Sequence, residues 1–168
     1  MDDVIETAEF PSVAARSVAL GFDPPTSIAL LPRNFVSATS AQELLDESSA
    51  ATIHQLFRQA GVPEDRFDTA EAPFPSVAEH SVDWIAPIIF IGAAYASENS
   101  SMVNVALGVV ANYVYELFGS LPGRRRVRLD VVVERDGSRT SKRVSYEGSA
   151  EGVQQLIPAV ERALSDDD

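Results

Sequence analysis

Cysteine is absent from this 168-residue chain, which excludes disulfides, thiolate nucleophiles and Cys-ligated zinc. Lysine is almost absent as well: of 13 basic residues only Lys142 is lysine, and the rest are arginine. Positive charge is short overall, 13 bases against 25 acids, a net of −12. Counterion release on nucleic acid needs a cationic surface, so direct nucleic-acid binding is not expected. Histidine occurs twice, at 54 and 80. No Gly-rich cradle runs into Lys-Ser/Thr, and no Gly-x-Ser-x-Gly elbow is present, so neither a P-loop nor a nucleophilic triad is expected. The opening "MDDVIETAEF" is acidic where a secretory signal is basic and then apolar. Cytoplasmic residence is the expectation.

What the chain does have is apolar content: 45% of its residues are hydrophobic, too many for global disorder. The length suits one domain, 1–168, with a lobe boundary in the polar, proline-bearing stretch 62–82. A self-repelling acidic chain with arginine in place of lysine points to a salt-adapted, haloarchaeal-like host.

The clearest local pattern is "VRLDVVVERDGSRTSKRVSYEG". Val127, Leu129, Val131 and Val133 alternate with Arg128, Asp130, Val132 and Glu134, a period of two. Asp136-Gly137 supplies turn residues, and Val144 and Tyr146 continue the apolar face on the return strand. Ser149 then caps a C-terminal helix carrying Val153, Leu156, Ile157, Val160 and Leu164, which Pro158 should kink. Upstream, "TSIALLP" reads as a strand ended by Pro32. "PSVAARSVALG" reads as a short helix with Pro11 at its first position. Ser40 and Glu43 fit a capping box opening a helical region over 41–60, with a second start at Ser48. The expected architecture is α+β. A small sheet uses 26–31, 126–134 and 141–147, and helices over 41–60, 84–118 and 150–164 pack around it.

Two apolar runs, "WIAPIIFIGAAYA" and "VNVALGVVANYVYELFG", cover 13 and 17 residues. Both fall short of the ~20 residues needed to cross a bilayer. In the second, Asn104, Gly108, Asn112 and Glu116 recur every four residues, a narrow polar stripe on an otherwise apolar helix. A buried helix is the leading reading. A membrane-acting or self-assembling effector using 84–118 is the alternative, and Arg124, Arg125 and Arg126 just beyond the helix keep it open.

Candidate chemistry is sparse. His54 is expected as a half-buried helix residue, while His80 with Asp83 lacks a third ligand at a metal-binding spacing. Glu64, Asp65, Asp68, Glu71 and Glu79 cluster in the long loop without an EF-hand pattern. Arg33 in "LPRNF" could hold an anion. No cofactor or metal is expected, and a carboxylate- or His-dependent enzyme ranks third among the functional readings.

The order of apolar helix, arginine junction, "VRLDVVVERDG" hairpin and "YEGSAEGVQQLIPAVERAL" resembles the small effector-associated constant-component type of domain found in prokaryotic conflict systems. The resemblance covers about 84–164 and implies an adaptor or coupling module in a defence complex. It carries over no functional residues. The leading expectation is therefore a non-enzymatic interaction subunit that meets a protein partner or its own copies. Its contact candidates are Arg124, Arg125, Arg126 and Arg128 along one edge, and Asn104, Asn112 and Glu116 along the stripe.

Overall fold

The computed structural model describes residues 3–68, 73–77, 84–118, 126–135, 137 and 140–165. In chain order the elements are β1 (Val4–Pro11), α1 (Val13–Ala19), β2 (Ile28–Leu31), β3 (Asp46–Glu47), α2 (Ala50–Ala60), β4 (Ser76–Val77), β5 (Trp84–Ile85), β6 (Ile88–Gly92), α3 (Ala93–Glu98), α4 (Ser100–Phe118), β7 (Val127–Glu134), β8 (Thr140–Gly148) and α5 (Leu156–Ser165). Short 3₁₀ segments precede β3, one turn at Ala41–Glu43, and α5, two turns at Ala150–Gln155. The fold is α+β, with a long apolar helix and a C-terminal helix against a mixed sheet.

The main sheet runs β1-β8-β7-β6-β2, with β5 also paired to β7. The expected hairpin is its centre: Val131 lies opposite Val144 and Leu129 opposite Tyr146. Gly137, at φ +77°, occupies the turn in a conformation that β-branched or bulky residues resist. β6 lies parallel to β7, so α3 and α4 form the crossover of a βαβ unit. β1 and β2 flank the sheet, each antiparallel to its neighbour. A small parallel pair, β3 with β4, stands apart.

Several expectations are corrected. Residues 84–92 do not extend a helix from 84 to 118: they form β5 and β6, with Ala86 and Pro87 interrupting the line. The run is uniformly apolar because β6 is buried on both faces, and a strand without a wet face loses its period of two. Gly92 ends β6 where a Cβ would collide with the Thr26 carbonyl, so the chain entering β2 can pass close by. The helix expected over 41–60 forms only from Ala50. Ser40 makes no side-chain cap, and Glu43 instead turns back to accept from the Thr39 amide at 2.8 Å and hydroxyl at 3.0 Å. Ser49, not Ser48, stands at the N-cap of α2. Pro11 ends a strand rather than starting a helix; Ser12 caps α1, its hydroxyl accepting from the Ala15 amide at 3.1 Å. The cap expected at Ser149 is present, its hydroxyl accepting from Gly152 N. Pro158 falls in the first turn of α5, just past the 3₁₀-to-α join, where its missing N–H costs little.

Hydrophobic clusters cover both faces of the sheet. One joins Ile89, Ile91, Leu129, Val131 and Val144 to Phe57 of α2, Leu107, Val110 and Val114 of α4, and Val160 of α5. The other joins Leu31, Phe90 and Val132 to Val13 of α1 and to Phe35 and Leu44 in the loop between β2 and β3. Val132, on the face expected to alternate as polar, is fully buried. Glu134 locks α1 onto this second face. Its carboxylate accepts from the amides of Val13 at 2.6 Å and Ala14 at 3.0 Å, and from the Ser141 hydroxyl.

Candidate functional site

α4 carries its apolar residues over most of its circumference, but only one side is used in the fold. Six of its 19 residues are buried: Val103, Ala106, Leu107, Val110, Ala111 and Val114. At about 100° per residue these share one face, turned to the sheet. The opposite face carries Ser101, Asn104, Val105, Asn112, Tyr115 and Glu116, all exposed. Val105 is 41% accessible and Tyr115 52%, and Leu117 at the helix end is 38% accessible. The stripe Asn104, Asn112, Glu116 therefore faces outward. Among the described residues its side chains make one hydrogen bond, within the stripe itself, from Asn112 Nδ2 to Glu116 Oε1 at 3.4 Å. Glu116 is the sole formal charge on α4.

At 19 residues, about 28 Å at ~1.5 Å per residue, α4 is longer than the sequence run implied. Among the described residues it is the one helix long and apolar enough to cross a membrane by length and composition. Length therefore does not exclude a span. What opposes a span is that one face of α4 is built into the core under the sheet.

Beside this face lies a groove of about 500 Å³ between α2 and α4, lined by Thr52, Leu56, Gln59 and Ala60 on one side and by Val109, Asn112, Tyr113 and the Glu116 carboxylate on the other. Its lining mixes amide, hydroxyl and apolar groups without a cluster of titratable side chains.

The arginine edge behaves differently. Arg124 and Arg125 lie outside the described residues. Arg126 and Arg128 stand where β7 begins, and both are held by acids of the chain. Arg126 Nη2 is 3.3 Å from Glu147 Oε2. Arg128 is 3.7 Å from Glu147 Oε1 and 3.5 Å from Asp130 Oδ2. These pairs are partly exposed and add little stability, but they offset the positive charge a partner would read. Asp130 is itself buried, and its Oδ1 has no hydrogen-bond partner.

A second cluster was not legible as a unit. α2 and the loop after it bring His54 Nδ1 to 2.7 Å from Glu64 Oε1, both side chains 10% accessible. Asp46 of β3 lies close by. Burial, then the Asp68 carboxylate, pushes it up to about 6, against the opposing pull of His54 and Arg66. Arg66 pairs with Asp68 at 2.9 Å. Burial pushes Asp65 upward, but hydrogen bonds from Ser27 and Thr26 outweigh it and hold the carboxyl below its usual range. Glu64, Asp65 and Asp68 thus have partners inside the chain, and Glu64 and Asp65 tie the segment to α2 and to the entrance of β2. Among the described residues no group of three His, Asp or Glu side chains could hold a metal ion. Arg33 is engaged at 3.8 Å by Glu47. His80, Asp83, Glu71 and Glu79 lie outside the described residues.

No family model, no curated protein and no solved structure matches the chain.

Proposed function

We propose that this chain is a non-enzymatic interaction subunit that docks onto protein through the outer face of α4. The observation that carries the reading is an exposed helix face that sets Val105 and Tyr115 among the uncharged polar groups Ser101, Asn104 and Asn112, with one formal charge, on a protein of net charge −12. Exposed apolar surface rimmed by polar groups is what a contact site requires. Covering side chains such as Val105 and Tyr115 gains roughly 1–2 kcal/mol each at about 25 cal/mol per Å². Asn104, Asn112 and Glu116 then give the contact its hydrogen bonds and its register. In this reading the buried His54–Glu64 contact is a structural tie, not an acid–base pair. The resemblance of 84–164 to conflict-system modules supports placing the subunit in a defence or regulatory complex.

The test is purification from the native host at native salt, comparing wild type with Val105→Glu and Tyr115→Glu. The expected result is a stoichiometric co-purifying chain with wild type, either a different protein or an untagged second copy, that both variants lose, while their melting temperatures stay within a few degrees of wild type. If both variants keep the partner, the face is not the docking site. If the intact protein pellets with membranes at high salt and needs detergent for release, the membrane reading replaces this one.

A further inference from the structure

We propose that the occupant of the outer face of α4 is α4 of a second copy of this chain, packed antiparallel about a two-fold axis through Gly108. The proposal rests on the reading of α4 as the docking face and names its partner.

Gly108 is the first observation. It sits mid-helix on the outward side, and a Cβ built there meets nothing within 4 Å. Glycine weakens a helix relative to alanine by the backbone freedom it surrenders on folding. Among the described residues nothing requires its missing side chain. An approaching helix does, because the distance between helix axes is set by the side chains at their crossing.

Self-complementarity is the second. In a two-fold contact the same patch serves both partners. With Gly108 on the axis, Asn104 of one copy faces Asn112 of the other, and Ser101 faces Tyr115, because each pair is evenly spaced about residue 108. A carboxamide carries both donor and acceptor groups, so an Asn–Asn pair satisfies itself. Glu116 falls beside Ser100 at the N-terminus of the opposite α4, the end where the helix dipole favours an acid. Val105 and Tyr115 fill the spaces between. The four-residue recurrence of Asn104, Gly108, Asn112 and Glu116, which within the monomer makes only the long Asn112–Glu116 hydrogen bond among the described residues, becomes the matching rule of the dimer.

Charge is the third. Two copies at −12 repel through most of their surface, and a face with one acid is where they can approach. A basic partner would choose a more acidic face. Salt screens the repulsion and should strengthen the association.

The chain has no cysteine, so an introduced thiol reports only its own site. Sedimentation over a concentration series should show a reversible monomer–dimer equilibrium that tightens from about 10 mM to molar KCl, where the screening length falls from ~30 Å to ~3 Å. On mild oxidation, Gly108→Cys should give a covalent dimer. Thr7→Cys on β1 and Asn104→Cys alone should not, whereas the double variant Asn104→Cys/Asn112→Cys should. Gly108→Leu should raise the dimer dissociation constant at least tenfold without lowering the melting temperature of the dilute monomer. A protein that stays monomeric at millimolar concentration in molar KCl, with no cross-link at 108, overturns the proposal. A cross-link from Asn104→Cys alone overturns the antiparallel register. If the protein is monomeric but Tyr115→Glu still strips a co-purifying partner, the second copy is wrong and the docking face survives. If that variant also has no effect, both are wrong.

Discussion

Replacing Asp46 with Asn removes a carboxylate that the fold holds protonated well above its ordinary range. The side chain is half-buried, and Asp68 faces it. Its folded value is about 6 against 3.8 for the free group. Below about pH 3 the group is neutral in both the folded and unfolded states, and it costs nothing. As pH rises from there to about 6 the unfolded chain releases the proton first, so stability falls; above that the penalty is constant. A shift of about two units at ~1.36 kcal/mol each is nearly 3 kcal/mol if fully expressed. Water screens a half-buried group, so about 1–2 kcal/mol is expected. Asp46→Asn should therefore melt about 3–6 °C above wild type at pH 7.5. The gap should narrow through pH 5 and 4 and close by about pH 3. Urea or thermal denaturation of the two proteins at pH 7.5 and at about pH 3 measures it. A gap equal at both pH values would show that the amide acts through packing, not charge. A less stable variant at pH 7.5 would show that the ionised carboxylate holds the fold together, against this reasoning.

Val131→Asp and Val132→Asp should both cost several kcal/mol in urea denaturation, because each buries an unpaired acid on its own face of the sheet; a well-tolerated Val132→Asp would mean that the second face opens readily to water. Glu64→Gln weakens the contact with His54, and a loss of about 1–3 kcal/mol at neutral pH is expected; unchanged stability would remove that contact from the account of how 62–68 is held. The melting temperature should climb from about 10 mM to molar KCl as screening relieves the −12 charge, and a flat or falling curve counts against salt adaptation.

What could be read in the chain was what local pattern decides. The β7–β8 hairpin has one strongly apolar face and turn residues between its strands, and Ser149 with the periodic residues after it marked the C-terminal helix. β1 escaped because seven of its eight residues are exposed or half-buried. It is a strand because β8 pairs with it, and that partner lies more than a hundred residues away. β5 and β6 were mistaken for helix because burial on both faces erases alternation. The Ser40–Glu43 pattern is a capping box on paper, but the chain turns extended at Leu44 and the helix waits for Ala50. For the candidate surface, the four-residue stripe on α4 was visible, but not its direction. Helical geometry aligns Asn104, Asn112 and Glu116 whatever they face, and only the packing of Val103, Leu107, Val110 and Val114 against the sheet turns them outward. The meeting of His54, Glu64 and Asp46 depends on how a loop and a two-residue strand fold back, which no periodicity encodes.

The place of β1 in the sheet also sets a clock. Its register runs from Val4 opposite Glu147 to Pro11 opposite Thr140, so among the described residues β1 pairs only with β8, which is made well over a hundred residues later. At roughly 5–20 residues per second of synthesis, about 7–30 s pass before β8 exists for β1 to meet. The chain must carry those residues without a strand partner while α4, the most apolar helix, is already formed or forming. Stalled nascent chains ending before Thr140 should be cut by protease within residues 4–11, and chains with β8 clear of the ribosome should resist. Equal protection in both would mean that β1 finds another partner first.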